Sequence, residues 1–353
     1  MDNSLPRVAI VILSWNGRHF LAEFLPSVVT TTYPNLEIWV ADNHSTDDSA
    51  AYLRQHWPQI KLLVLERNEG FAAGYNAALQ QIRADYYVLL NQDVEITPGW
   101  IEPVIDLMQR DPHIAAAQPK LKAQQRRGEF EYAGGAGGFM DRWGYPFCRG
   151  RIFDVTEKDV GQYDDTREVF WATGAALFVR AELFHRFGGF DGDLFAHMEE
   201  IDLCWRMKNA GYKIFCVCES VAYHVGGGSL PMGNPRKTFL NFRNNLVMIL
   251  KNLPGAELGW RFPARLVLDQ LAALRALTRG NAADFRAIWR AQWHVLTRLG
   301  FWWRHRRAAQ RAVSANRIGP RNHKGTFHGS IVRQFFQRGV RRFSDLPAQR
   351  IER

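Results

Sequence analysis

The first 110 residues alternate between two patterns. Short β-branched apolar runs give way to stretches with apolar residues at three- and four-residue spacing. The run at 7–13 reads as a buried strand, and residues 18–30 as a helix. Residues 36–40, 61–65 and 86–90 predict three further strands. Residues 49–57, 71–82 and 98–109 predict the helices that follow them, with Pro98 placed in a first helical turn. Such alternation predicts an α/β fold with a doubly wound, mostly parallel sheet flanked by helices. Ligands in such sheets bind beyond the carboxyl ends of the strands.

Residues 123–168 break the rhythm with glycines that include 134, 135, 137, 138, 144, 150 and 161, and with scattered aromatics. An unpatterned segment that long is normally functional. It is expected to form irregular structure or short hairpins covering one side of a cleft. Residues 169–179 resemble a strand interrupted by Thr173-Gly174-Ala175. A helix near Ala181, an acidic helix near Glu200, and strands at 213–218 and 221–224 complete a body expected to span 1–250. From Phe239 onward the patterns are helical, and 251–353 is expected as a C-terminal helical extension.

Composition adds two constraints. The 353 residues are 46% hydrophobic, enough for a sizeable core, yet no run approaches a membrane span and no signal peptide is expected. Four cysteines do not make a disulfide scaffold. Cys216 and Cys218 share one strand face and are expected as buried free thiols in a reducing, cytoplasmic compartment. The formal charge of +10 is uneven: residues 251–353 carry a net of +16 and residues 1–250 a net of −6. A basic tail on an acidic body implies an anionic partner.

Within that tail, Phe285, Ile288, Trp289, Trp293, Leu296, Leu299 and Trp303 recur at helical spacing, with Arg286, Arg290, Arg298 and Arg304 on other faces. This predicts an amphipathic helix lying on an anionic membrane surface. The alternative is a helix packed on the body with a solvated basic face. Nucleic acid is not expected, since no recognised binding motif accompanies the charge. The chain from about Ser314 is expected to be partly disordered, with a short helix at 331–336.

The candidate chemistry sits at the strand ends. Beyond the four predicted strands stand Ser14-Trp15-Asn16, Asp42-Asn43-His44-Ser45-Thr46-Asp47, Asn68-Glu69-Gly70 and Asn91-Gln92-Asp93. Turn chemistry explains any one of these; four together imply a shared site. Asp93 is suited to a hard divalent cation that also meets substrate phosphates. His224 precedes Gly226-Gly227-Gly228, where backbone can approach a ligand closely. Glu199, Glu200 and Asp202 place three carboxylates in four positions at the start of a helix. Such mutually repelling acids mark an acid/base or metal site more often than a plain cap. Asp202 and Arg206 are expected as an exposed i, i+4 ion pair.

In this order, 11–17, 42–47, Asn68-Glu69-Gly70-Phe71-Ala72-Ala73-Gly74-Tyr75-Asn76, Leu90-Asn91-Gln92-Asp93, Thr173-Gly174-Ala175 and 199–206 together resemble family-2 glycosyltransferases of the GT-A fold. The resemblance covers roughly residues 7–250 and is strongest to the rhamnosyltransferase-like branch that builds bacterial surface polysaccharides. It implies an inverting, metal-dependent, non-processive enzyme. That enzyme would move a sugar from a UDP- or dTDP-sugar to a glycan or lipid-linked glycan, peripherally on the inner face of the cell membrane. It implies that Asp42 binds the pyrimidine base and that Asn16, Asn68, Gly70, Asn76 and Asn91 line the donor pocket. Asp93 resembles the last acid of the family's Asp-x-Asp, whose first position is here Asn91; with His224 it would bind Mg2+ or Mn2+. Glu200 falls where the family places its catalytic base, usually Asp, with Glu199 as the fallback.

Three other readings are weaker. A processive synthase should carry Gln-x-x-Arg-Trp and transmembrane helices. A nucleotidyltransferase needs a basic glycine-rich loop after the first strand, where this chain has Ser14-Trp15-Asn16-Gly17. A non-catalytic, membrane-associated sugar-nucleotide-binding or scaffold protein would not need both Asp93 and Glu200.

Overall fold

The computed structural model describes residues 5–226 and 233–352. Its first half follows the alternation in the sequence: β1 (Val8–Ser14), α1 (Arg18–Val29), β2 (Leu36–Asp42), α2 (Ser49–His56), β3 (Lys61–Val64), α3 (Gly70–Leu79) and β4 (Tyr86–Asn91). β1 pairs in parallel with both β2 and β4, and β2 with β3. β5 (Val94–Ile96), α4 (Glu102–Arg110) and β6 (Ile114–Ala123) follow. The helix expected from Pro98 starts later, because Gly99 is left-handed (φ +69°); Pro103 is the proline in its first turn.

The glycine-rich segment folds into short strands, β7 (Gly138–Asp141), β8 (Pro146–Cys148), β9 (Arg151–Ile152) and β10 (Val155–Thr156). They form a second small sheet by successive antiparallel pairing. β11 (Arg167–Val169) and β12 (Ala176–Arg180) flank the Thr173-Gly174-Ala175 interruption, and β12 inserts antiparallel between β4 and β6. After α5 (Ala181–Arg186) and α6 (Glu199–Asn209) comes β13 (Lys213–His224), one strand where two were expected. A register shift between Val217 and Val221 marks the bulge that hid its continuity. The main sheet runs β11-β13-β6-β12-β4-β1-β2-β3, with β5 on β13.

Strand pleating divides the core. Val8, Ile10 and Ile12 of β1 pack with Leu21 and Leu25 of α1 and Val104 and Met108 of α4. Ala9 and Val11 face the other way, toward Ala72 and Tyr75 of α3 and Leu203 of α6. The four cysteines are buried and free.

The C-terminal region is α7 (Pro235–Asn252), α8 (Gly255–Thr278), α9 (Ala282–Thr297) and α10 (Leu299–Ala315). The single Trp/Arg helix expected from spacing is therefore two, parted at Arg298. Ile288 turns into the core, whereas Trp289 and Trp293 face solvent. α7 runs across position 250. The tail expected to be partly disordered is built in: β14 (Thr326–Phe327) pairs with β7, and Phe327 together with Ile331 and Phe335 of α11 (Ile331–Phe336) is buried.

One polar network ties α6 to α7. Asp202, expected in an exposed ion pair, is fully buried. It accepts hydrogen bonds from Arg206 Nε (2.9 Å), Lys251 Nζ (2.8 Å) and Asn252 Nδ2 (2.8 Å). Arg206 also donates to the carbonyl of Gly189, and Lys251 to Asp191. The i, i+4 pair forms as its spacing dictates, but α7 closes over it. Removing one member of a buried pair leaves the others uncompensated, at a cost of about 3–5 kcal/mol. Asp202→Ala is therefore expected to lower unfolding free energy by about that amount in urea titration. A loss no larger than the roughly 0–1 kcal/mol of a surface ion pair would contradict this account of the network.

Candidate active site

The parallel half of the sheet brings its polar strand ends together. Ser14 Oγ donates to Gln92 Oε1 at 2.8 Å, joining the ends of β1 and β4. Asn16, in a left-handed turn (φ +48°), accepts from the Thr46 amide at 2.7 Å through its Oδ1, and its own amide N–H donates to Ser45 Oγ at 2.9 Å. Asp42 is buried at the end of β2 and accepts from the Ser45 amide. Asn43 links β2 to α3. Its Nδ2 donates to Asn68 Oδ1 and to the Gly70 carbonyl (3.0 Å), while its Oδ1 accepts from the Glu69 amide. Asn68 in turn accepts from the Gly70 amide at 2.9 Å.

Gly70 (φ +76°) is where α3 meets the loop that leads to the acidic helix. A Cβ there would lie 2.6 Å from the Phe195 ring, and the Phe195 carbonyl accepts from the Phe71 and Ala72 amides. Asp42, Asn16, Asn68 and Gly70 thus stand together. Asn76 is placed elsewhere: its amide bonds both the N–H and the carbonyl of Phe190, so it braces α3 against that loop.

Beyond β4, Asp93 and His224 meet. His224 Nε2 lies 3.2 Å from Asp93 Oδ1, and its Nδ1 lies 3.2 Å from Glu131 Oε1. All three are buried. Burial opposes charge on the imidazole, but the two carboxylates overrule it and lift its pKa to about 10. Burial likewise pushes the Asp93 carboxyl up, and His224 with the backbone at Gly226 holds it below its ordinary value. Asn91 Nδ2 is 3.4 Å from His224 Nε2, and its Oδ1, buried, has no hydrogen-bond partner among the described residues. Once the proton on His224 Nε2 is displaced, a carboxylate, an imidazole nitrogen and an unsatisfied amide oxygen are a donor set suited to Mn2+ or Mg2+. Glu131 lies behind the ring at Nδ1, the place of the carboxylate that orients a ligating histidine. These residues fit a divalent ion. Gly226 (φ +73°) passes close by, where a Cβ would be 3.0 Å from Glu131 Oε1; Gly227 and Gly228 lie outside the described residues.

At the start of α6 stand the other two acids. Burial pushes the Glu200 carboxyl up to about 7, against the pull of backbone N–H groups that include Gly174. Glu199 is raised too, by burial first and then by Glu200 and Asp202. One oxygen of each, Oε2, has no hydrogen-bond partner among the described residues. Glu200 packs beside Gly174, where a Cβ would stand 3.6 Å from its side chain. The sequence interruption at Thr173-Gly174-Ala175 is therefore the wall of this acid. A carboxyl poised near neutral pH can take or give a proton at the pH where the protein works.

Asp191, Asp193 and His305 also come within reach of a single ion. Lys251 already sits 2.6 Å from Asp191, and His305 lies 3.0 Å from Asp191 and 3.3 Å from Asp193. This cluster already holds its own cations and acts as a clasp between α10 and the loop before α6.

Sequence reasoning passed over Asn43, Glu131 and Asn244. Asn43 stands inside the matched Asp42-Asn43 stretch. Glu131 lay in the unpatterned glycine-rich segment. Asn244 was marked only by Arg243-Asn244-Asn245, a polar run in an otherwise apolar helix face; it donates to the carbonyls of Leu194, Ala196 and His197.

Residues 9–167 match the family model described as glycosyl transferase family 2. The chain is similar to the N-acetylglucosaminyl-diphospho-decaprenol L-rhamnosyltransferase of Mycobacterium tuberculosis, 26% identical over 294 residues, covering 78% of this chain and 92% of that one. It is also similar to the O-antigen biosynthesis protein RfbC of Myxococcus xanthus, 26% identical, over 62% of this chain but 17% of that protein. Among solved structures, GalNAc-T7 crystallised with UDP, GalNAc and Mn2+ shares the fold with a TM-score of 0.53 and 17% identity. That match covers 71% of this chain and 48% of the other. With the strand-end cluster, the sheet order and the acidic helix in place, residues 9–167 carry a family-2 glycosyltransferase region, and the chain is a rhamnosyltransferase-like glycosyltransferase on an α/β GT-A fold.

Proposed function

We propose that this glycosyltransferase is a non-processive, inverting enzyme acting on a UDP- or dTDP-sugar, with Glu200 as its general base. The observation that carries the reading is Glu200 itself: a carboxyl with a buried, unsatisfied Oε2 and a pKa near 7, beside Gly174, whose neighbour Ala175 accepts from the Asn91 amide at the end of β4. The acceptor hydroxyl is a weak nucleophile. Glu200 would take its proton as it attacks the anomeric carbon, opposite the departing diphosphate, and a single displacement inverts the configuration. Asp42 would receive the pyrimidine, and Asn16, Asn68 and Gly70 would shape the wall around the nucleoside. Asp93 and His224, with Asn91 beside them and Glu131 orienting the ring, would hold a divalent ion. Such an ion supplies positive charge against the leaving diphosphate.

The mycobacterial relative's name supports an acceptor of the same class, a glycan on a polyprenyl diphosphate, with rhamnose as the sugar transferred. Such an acceptor is fixed to a membrane. No described helix is long and apolar enough to cross one. The C-terminal helices instead expose Trp260, Leu271, Leu274, Trp289, Trp293 and Trp303. Arg275, Arg279, Arg286, Arg290 and Arg304 are exposed among them. Exposed indoles beside guanidiniums suit the interface of an anionic cytoplasmic leaflet.

Four outcomes follow. Glu200→Gln is expected to lose about 100- to 10,000-fold in transfer while keeping nucleotide affinity, with Glu199→Gln as the comparison. In the wild type, kcat/KM should rise with pH up to about 7 and then level, because the raised pKa leaves Glu200 protonated, and so unable to accept, below it. Near-normal transfer by Glu200→Gln would sink the assignment. Asp93→Ala should abolish the manganese-dependent part of nucleoside diphosphate binding in calorimetry, and His224→Ala should weaken it less. Unchanged manganese dependence in Asp93→Ala would place the ion elsewhere. Finally, the triple substitution of Trp289, Trp293 and Trp303 by Ser should reduce co-sedimentation with anionic vesicles at low salt. Wild-type protein that stays in solution with those vesicles would remove the membrane reading. Substitution is the right probe, since the tail beyond α10 packs into the body and deletion would unroof it.

A further inference from the structure

The segment from Asp191 to Met198 joins three parts of the molecule. Its Phe195 carbonyl caps the start of α3, which carries the donor-side residue Gly70. Its far end is the first turn of α6, with Glu199 and Glu200. Three of its non-glycine residues are left-handed: Phe195 (φ +66°), His197 (φ +72°) and Met198 (φ +73°). Such residues cost of order 1–3 kcal/mol each and persist only where the surroundings over-determine them. The segment contains no glycine at those positions, so the restraint must come from elsewhere.

It comes from α7. Asn244 is fully buried, and its Nδ2 faces three carbonyls of the segment: Leu194 at 2.9 Å, Ala196 at 2.8 Å and His197 at 2.7 Å. Its Oδ1 accepts from Arg243 Nε at 2.7 Å, which fixes which end of the amide points inward. Arg243 Nη2 adds bonds to the carbonyls of Asp193 (3.1 Å) and Leu194 (2.8 Å). Five carbonyl contacts from two adjacent side chains therefore hold a strained turn that ends one residue before Glu199. The donors match the acceptors in kind: an amide N–H2 and a guanidinium can only donate, and the segment turns only carbonyls toward them.

We propose that Asn244 is a positioning residue for transfer, holding the 194–198 turn so that the first turn of α6 presents Glu200 to the acceptor. The proposal rests on Glu200 being the base. It makes the C-terminal region part of the catalytic apparatus, because α7 is packed in turn against α9 and α10. Asn244 touches neither donor nor acceptor in this account. Its effect on rate comes through displacement of Glu200, and a misplacement of about 1 Å costs on the order of 100-fold.

The test measures turnover, nucleotide affinity, thermal unfolding and the pH dependence of kcat/KM for Asn244→Ala, Asn244→Asp and Asn244→Ser, beside Glu200→Gln. Asn244→Ala should fold, bind nucleoside diphosphate and manganese nearly as wild type, and lose about 100-fold in kcat. Its acid limb should move to lower pH, since a released α6 terminus lets water reach Glu200. A residue that merely fills space would not move that limb. Asn244→Asp keeps the shape but turns an oxygen toward three carbonyl oxygens, so it should be no better than Ala. Asn244→Ser keeps one donor and should fall between. Wild-type kcat and an unmoved acid limb in folded Asn244→Ala, beside an inactive Glu200→Gln, would overturn the clamp alone. Normal transfer by Glu200→Gln would overturn the base assignment and the clamp with it. If Asn244→Ala fails to fold, Asn244→Ser decides: a wild-type limb and rate in that variant overturn the proposal.

Discussion

Three acids share the first turn of α6, and one of them is given cations. Asp202 receives Arg206, Lys251 and Asn252, while Oε2 of Glu199 and of Glu200 has no partner among the described residues. The division is geometric. Asp202 faces α7, and its partners come from that helix and from the next turn of α6. Glu200 faces Gly174 on the sheet side, where backbone donors reach it. Asp202 is fully buried and bonded into the packing, whereas the half-buried Glu200 lacks such partners and its carboxyl is pushed up toward neutrality. The same packing thus anchors the helix and leaves its neighbour reactive.

The C-terminal helices follow from that constraint. α7 supplies Lys251 and Asn252 to Asp202 and supplies Arg243 and Asn244 to the turn before α6. α10 adds His305, which bonds Asp191 in the same segment. The basic character of this region therefore has two destinations. A buried set, Lys251, Arg243 and Arg306, satisfies carboxylates and carbonyls of the body, and Arg306 alone donates to the carbonyls of Leu250 and Leu253. A second set faces solvent among exposed tryptophans. A net charge cannot separate these sets; the contacts can.

Much of this was legible in the chain. The strand–helix alternation to residue 110, the strand ends at Asn16, Asp42, Asn68 and Asp93, and the acidic helix follow from local periodicity and motif order. What local pattern could not give was pairing at a distance. β13 was split in two because its bulge near Ser220 interrupts the alternation. Asp202 was placed on the surface because i, i+4 spacing says nothing about a helix packed above it. Asn76 shares its motif with Asn68, yet bonds Phe190, 114 residues away in sequence. Glu131 sits in a segment without period, and only the fold brings it to His224. The tail beyond Ser314 lacks an amphipathic pattern long enough to predict order, and gains it by adding β14 to a sheet formed some 180 residues earlier.

The site has two poles. At one, His224 between Asp93 and Glu131 collects charge and suits a cation that meets phosphate. At the other, Glu200 Oε2 has no partner among the described residues, and on the proposed reading it would take a proton from a hydroxyl. A transferred sugar would lie between them, with the leaving group drawn to one pole and the nucleophile to the other. The division of partners within α6 is the centre of this account, and direct titration tests it. Carboxyl carbon NMR of the protein labelled with 13C-glutamate, assigned with Glu200→Gln, should show Glu200 titrating near 7. A midpoint at the ordinary glutamate value of about 4.5 would mean that water or a cation reaches this carboxylate, and would contradict the account.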